Sequence, residues 1–140
     1  MKGAKVHELI EAYYDAFNRQ DMIAFFDLLD DEVHHDVNEG NRESGKTAFR
    51  FFMEKMNRSY QEKISDIVIM ASPDETRAAA EFVVEGKYLE SEFGLPEANG
   101  QDYRLAAGAF FEIKNGLITR VTNYYNLEDW KAQIEGRHEF

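Results

Sequence analysis

The chain has 140 residues, 44% of them hydrophobic and 14% aromatic, enough apolar material for one core and a single domain over residues 1–140. With 16 basic residues against 27 acidic ones the formal net charge is −11; this opposes phosphate backbones and anionic lipid head groups, so neither nucleic acid nor a membrane surface is an expected partner. There is no cysteine and hence no disulfide or thiolate chemistry, and without an apolar signal core or a run of ~20 apolar residues the expectation is a soluble cytoplasmic protein.

Val6, Leu9, Ile10, Tyr13 and Phe17 recur at helical spacing and predict an amphipathic helix over 5–18, with Tyr14 near the edge of its buried stripe. Asp21 fits an N-cap. Met22, Phe25, Phe26 and Leu29 then form one face of a shorter second helix, stopped by Asp30-Asp31-Glu32, which reads as a helix end followed by solvent. From Val33 to Asn38 the period changes, and VHHDVN reads as a short strand before a polar loop from Glu39 to Glu43. Ser44 or Gly45 starts a third helix, whose apolar face is Ala48, Phe49, Phe52, Met53 and Met56 and which ends near Arg58.

Four strand-like segments follow, roughly 62–71, 77–89, 104–113 and 117–125. On the second, Ala78, Ala80, Phe82, Val84, Gly86 and Tyr88 share one face while Ala79, Glu81, Val83, Glu85 and Lys87 share the other, the pattern of an antiparallel sheet with one wetter side. Lys114-Asn115-Gly116 joins the last two, and Asn-Gly between period-two runs is a strong hairpin signal. Inward positions of the final strand include Val121, Asn123 and Tyr125; polar groups on a core-facing strand suggest a pocket. The stretch from Glu90 to Gln101, which contains Phe93 and Leu95, is long for a hairpin connection and reads as a pocket lid or a solvated loop.

The order is thus αα-β-α-ββββ. Three motifs, EAYYDAFNRQDMIAFFDLLDDEV, ESGKTAFRFFMEKM and AFFEIKNGLITRVTNYYN, resemble in their order and spacing the nuclear transport factor 2-like superfamily, especially its ketosteroid-isomerase-related and SnoaL-like branches, over nearly the whole chain. The resemblance implies an α+β, cone-shaped fold in which N-terminal helices pack on a curved antiparallel sheet, mixed at its edge, and enclose a pocket. It also implies a homodimer through the sheet, in keeping with apolar Val83 and Phe110 on the outer face. It implies no single activity, because this fold hosts isomerases, cyclases, hydrolases, dehydratases and non-catalytic binding domains.

In such a fold the polar lining comes from helix one, the first strand and the last hairpin. Tyr13 and Tyr14 sit about 100° apart on their helix, so they do not both point inward. By resemblance to ketosteroid isomerases one of them donates a hydrogen bond to a developing oxyanion; otherwise each is a core tyrosine with a satisfied hydroxyl. On strand one, alternation puts either His35 with Val33 and Val37, or His34 with Asp36 and Asn38, on the inner face. An inward Asp36 resembles the isomerases' catalytic aspartate, whereas an inward His35 makes an imidazole the base; the bland alternative is a solvated or ion-paired cluster. Only His34 with Asp36 could share a metal ion, and with His7 and His138 near the termini no metal is expected.

The chain departs from the resemblance twice. Asn123 stands about where SnoaL-like cyclases carry an acid–base aspartate, and Ala107-Gly108-Ala109-Phe110-Phe111 lacks the protonated aspartic acid that completes the isomerases' oxyanion hole. The expectation is a small-molecule enzyme of the isomerase or cyclase type that moves a proton next to a carbonyl of a hydrophobic substrate. His35 or Asp36 is its base and Tyr14 its hydrogen-bond donor; Tyr13, Asn38, Tyr88, Asn123 and Tyr125 bind the ligand, and no cofactor is required. The alternatives are a non-catalytic module of the same fold, binding a small ligand or serving dimerisation, and a hydrolase or dehydratase using a bound water.

Overall fold

Helix α1 (Ala4–Arg19) forms where the apolar spacing predicts it and buries Val6, Ile10, Tyr13 and Tyr14 together. It ends at Gln20, whose positive φ of 58° turns the chain, and Asp21 caps α2 (Met22–Asp27) by accepting from the Ala24 amide at 3.1 Å. The computed structural model that shows this describes residues 4–38 and 40–136; His138 lies outside them.

Six strands make one mixed sheet in the order β2-β1-β6-β5-β4-β3. They are β1 (Leu29–Asp36), β2 (Arg42–Ser44), β3 (Tyr60–Ala71), β4 (Arg77–Tyr88), β5 (Gln101–Lys114) and β6 (Leu117–Tyr125), with α3 (Lys46–Ser59) between β2 and β3 and α4 (Leu127–Ile134) after β6. The pairing of β1 with β6 is parallel and every other pairing is antiparallel. The α+β fold and the edge mixing are as expected from the resemblance. At the predicted hairpin Asn115 and Gly116 both have positive φ, 53° and 78°, the backbone that an Asn-Gly turn between twisted strands requires.

Two boundaries differ from the sequence reading. Leu29 belongs to β1, not α2: it pairs with Ile118 and is fully buried, so Asp30-Asp31-Glu32 lie within a strand rather than at a helix end. Sheet pairing outweighs the helical spacing there. Residues 42–44, read as loop, form β2, which pairs His34 with Ser44, His35 with Glu43 and Asp36 with Arg42. A three-residue polar strand carries no periodicity of its own; its partner strand creates it.

Tertiary hydrogen bonds fix the helices over the inner face. Asn18 on α1 donates to the Ile64 carbonyl and accepts from the Ile64 amide, both at 2.8 Å, beside the register shift in the β3–β4 pairing. Gln133 on α4 does the same for Arg104 of β5, accepting from its amide at 2.7 Å and donating to its carbonyl at 2.9 Å. These side chains pin α1 and α4 at the β3–β5 end of the sheet, and α3 packs against β1 at the other. On the outer face Phe110 and Tyr124 are 48% and 55% exposed, their ring centroids 5.8 Å apart. No helix of the described residues is long and apolar enough to cross a membrane.

Candidate active site

The inner face of the sheet and helices α1, α3 and α4 surround a cavity of about 720 Å³, within the range that takes a small organic ligand. Most of its wall is apolar, from Phe25, Phe49, Phe52, Phe82, Val84 and Leu105 among others. What distinguishes it from a core void is the polar groups set into that wall.

His35 is the polar group from β1. Strand alternation buries it with Leu29 and Val33, and it is 2% exposed. Its ring stacks on Phe49 at 4.1 Å and meets Phe52 edge-on at 4.6 Å, so its orientation is held by α3. The Nδ1 atom faces Glu43 Oε1, its register partner on β2, at 3.6 Å, too long for a hydrogen bond. Both atoms are buried and lack a hydrogen-bond partner among the described residues. Burial lowers the imidazole pKa and the Glu43 charge opposes that fall, so the net direction is down and the ring is neutral at pH 7.

Both tyrosines of α1 line the cavity, their rings edge-to-face at 5.1 Å. The expectation that only one turns inward fails because both are more than nine-tenths buried: the wall of the cavity wraps around α1 far enough to take adjacent positions. The Tyr14 hydroxyl is buried without a partner, and burial, with Tyr13 beside it, pushes its pKa up, so it stays a proton-bearing donor. Substituting Tyr14→Phe removes an unpaired polar atom. The melting temperature should stay level or rise, by up to about 1 kcal/mol of stability, since an unsatisfied buried hydroxyl costs free energy; a hydroxyl bonded within the fold would instead show a loss.

Glu62, Gly86 and Tyr103 sit in one row across β3, β4 and β5. The Tyr103 side chain leans across Gly86 and donates to Glu62 Oε2 at 2.5 Å. A Cβ at position 86 would lie 2.3 Å from the Tyr103 ring, so only glycine leaves room for this contact. Tyr60 and Trp130 pack edge-on against the same ring, centroids 6.3 and 6.0 Å away. Burial raises the Glu62 carboxyl pKa, with the Tyr103 hydroxyl acting against it.

Asp36 is not part of this lining, a correction to its reading as an inward base. It points to the opposite face of β1, where Arg42 donates to both carboxylate oxygens at 2.6 and 3.0 Å and Thr122 donates at 2.6 Å, and these contacts hold its pKa down to about 2. A carboxylate so occupied is a poor base. His34 shares that face and contacts Ser44 Oγ at 2.9 Å. Tyr88 is also displaced from the expected ligand set: it is fully buried and absent from the cavity lining, and its hydroxyl donates to the Pro96 carbonyl at 2.8 Å and accepts from the Glu92 amide at 2.9 Å. It therefore ties down the 89–100 connection, whose Phe93, Gly94 and Leu95 border the cavity.

Asn38, Asn123 and Tyr125 do line the cavity. Asn38 reaches it although Asp36 does not, because β1 ends at Asp36 and alternation stops there; its Oδ1 accepts from the Tyr125 amide at 2.8 Å. The sequence reading missed Glu43 and Glu62. For Glu62 a signal existed: Tyr60, Glu62 and Ile64 alternate, which puts a carboxylate on an apolar face. For Glu43 none did, since it lies in what reads as a polar loop. Among the described residues no three His, Asp or Glu side chains converge to hold a metal ion.

Residues 10–121 match the SnoaL-like domain family. Among solved structures, a putative polyketide cyclase of Pseudomonas putida KT2440 is 58% identical, with 92% of this chain and 97% of that one covered and a TM-score of 0.90. Another, from Xanthomonas campestris pv. campestris, is 51% identical over 93% and 96% with a TM-score of 0.91, and a third, from Silicibacter sp. TM1040, is 48% identical over 96% and 98% with a TM-score of 0.91. No curated protein matches the chain.

Proposed function

This chain belongs to the SnoaL-like domain family, and on that premise we propose that it is a small-molecule enzyme of the isomerase or cyclase type, acting by proton transfer next to a carbonyl. One observation carries the reading. The buried side-chain polar atoms without a partner among the described residues are Tyr14 Oη, His35 Nδ1 and Glu43 Oε1, and all three belong to residues lining this one cavity. Tyr14 Oη is left for a ligand to bond, while His35 Nδ1 and Glu43 Oε1 face each other at 3.6 Å as a loose pair that tightens when the ring gains a proton; folds rarely leave such atoms unpaired away from a functional site.

In this reading the neutral His35 ring takes a proton from the carbon next to the substrate carbonyl. Glu43 beside Nδ1 favours the tautomer with hydrogen on that nitrogen, which leaves Nε2 to accept, and its charge stabilises the imidazolium formed. The carbonyl oxygen gains the negative charge, and the Tyr14 hydroxyl donates to it. Asn123, with no side-chain hydrogen bond among the described residues, orients the ligand from β6. Isomerisation follows if His35 returns the proton to a different carbon, and cyclisation if the enolate carbon attacks a second carbonyl of the same chain, whose oxygen becomes an alkoxide and takes up the proton held by His35. The relatives described as putative polyketide cyclases support the second outcome.

The test needs no knowledge of the natural substrate. A panel of aryl and cyclic ketones is incubated with the protein in deuterated water and exchange of hydrogens next to the carbonyl is followed by NMR. Exchange faster than in buffer alone is expected for ketones that fit the cavity. A ketone that raises the melting temperature yet never exchanges would refute the proposal and point to a non-catalytic ligand-binding module. We also infer that a second copy covers the exposed Phe110 and Tyr124 on the outer face; sedimentation velocity should show a dimer, and a species of monomer mass would exclude it.

A further inference from the structure

We propose that Glu62, held by Tyr103, is a second anchor in the cavity, accepting a hydrogen bond from a hydroxyl group at the far end of an elongated, largely apolar ligand. This rests on the reading above that the cavity takes an organic substrate, and adds what that substrate must carry.

Three observations lead there. The first is that Glu62 lines the cavity and, among the described residues, is hydrogen-bonded by Tyr103 alone, at Oε2, so Oε1 offers an acceptor in a lining that also includes Val84, Leu105 and Trp130. The contact is built: Gly86 is the residue that lets Tyr103 lie across β4, and the ring is backed by Tyr60 and Trp130. A half-buried carboxyl with one donor gains from a second one, and a ligand hydroxyl is such a donor.

Second, the two polar ends are well separated. His35 packs on Phe49 and Phe52 near the start of α3, whereas Tyr60, directly after α3, packs against Tyr103. From Phe52 and Phe49 to Tyr60 the chain advances roughly 12 to 16 Å at the helical rise of about 1.5 Å per residue, so a ligand touching both ends is a rod or a fused ring system. Third, carboxylates outnumber ammonium groups in the lining: Glu43, Glu62 and Glu92 border the cavity against Lys131 and Lys55, and Lys55 is paired with Glu92 at 3.4 Å, a balance that disfavours an anionic ligand.

The probe is a biphenyl with a para-acetyl group on one ring and a para-hydroxyl on the other, compared with its methyl ether by calorimetry. Quenching of Trp130, the one tryptophan of the chain, reports occupation of the Glu62 end. The phenol should bind the native protein about tenfold more tightly than the ether. That preference should fall to near unity in Glu62→Leu and by severalfold in Glu62→Gln, whose neutral amide is a weaker acceptor; Tyr103→Phe, which leaves the carboxyl in place, should keep it. An unchanged preference in Glu62→Leu, or in Glu62→Gln should the leucine variant fail to fold, would overturn the anchor while leaving the proton-transfer reading intact. Absence of binding by both compounds to the native protein also overturns the anchor, and the ketone exchange assay then decides the broader reading separately.

Discussion

Replacing His35 with glutamine should slow ketone hydrogen exchange by about two to four orders of magnitude, the usual contribution of a positioned base, while Asp36→Asn leaves it within a fewfold. The contrast follows from β1. Its alternation turns His35 into the cavity, against Phe49 and Phe52, and turns Asp36 onto Arg42 and Thr122. The pH dependence has a definite sign. Burial lowers the folded-state pKa of His35 below the ordinary value of about 6.5, so the base form persists into mildly acidic solution and the rate falls only as pH drops through that lowered value.

Stability follows the same linkage. Below about 6.5 the unfolded chain takes up a proton at this position before the folded one does. The contribution of a neutral, buried His35 is therefore complete above that pH and declines as pH falls from there toward the folded-state pKa. In His35→Gln that segment of the stability–pH curve should flatten. Equal exchange rates for native protein and His35→Gln would remove His35 from the mechanism.

Gly86→Ala should destabilise the fold by about 2 to 3 kcal/mol, as overpacking of a filled interior does, which thermal melting would read as a fall of several degrees. The added Cβ would sit 2.3 Å from Tyr103 Cζ and 2.5 Å from its hydroxyl oxygen. Tyr103 cannot simply rotate away, because Tyr60 and Trp130 pack against its ring and its hydroxyl is bound to Glu62. The cause can be isolated with a double-mutant cycle. Combined with Tyr103→Ala the glycine substitution should cost far less than it does alone, since contacting residues are not additive. Full additivity would mean that Gly86 is required for another reason.

The first three helices were legible because each carries its own signal: the apolar spacing of α1, the Asp21 cap of α2, and the run from Phe49 to Met56 in α3. The Asn115-Gly116 turn was legible for the same reason, as were the two faces of β4. All of these are local, a matter of which residues lie three, four or two apart. The family resemblance rested on the order of such local features, and it set the architecture and the presence of a pocket.

The site was only half legible. Sequence left open whether His35 or Asp36 faces inward, since alternation defines two faces without saying which is inner. The choice came from neighbours distant in the chain: Phe49 and Phe52 take the imidazole, while Arg42 and Thr122 take the carboxylate. Tyr88 shows the converse. Its strand position is inward as expected, but the loop that folds back over it claims its hydroxyl through Pro96 and Glu92.

By itself, then, the sequence determined the first three helices and the long strands, their order, the acidic character of the surface and part of the short set of polar residues near a cavity, because these depend on composition and on spacing along one segment. Tertiary structure alone decided which of those polar groups are left without partners. Hydrogen-bond satisfaction is settled by atoms brought together across the sheet, such as Glu43 opposite His35 and Tyr103 across Gly86 to Glu62, and no periodicity within a single strand encodes it.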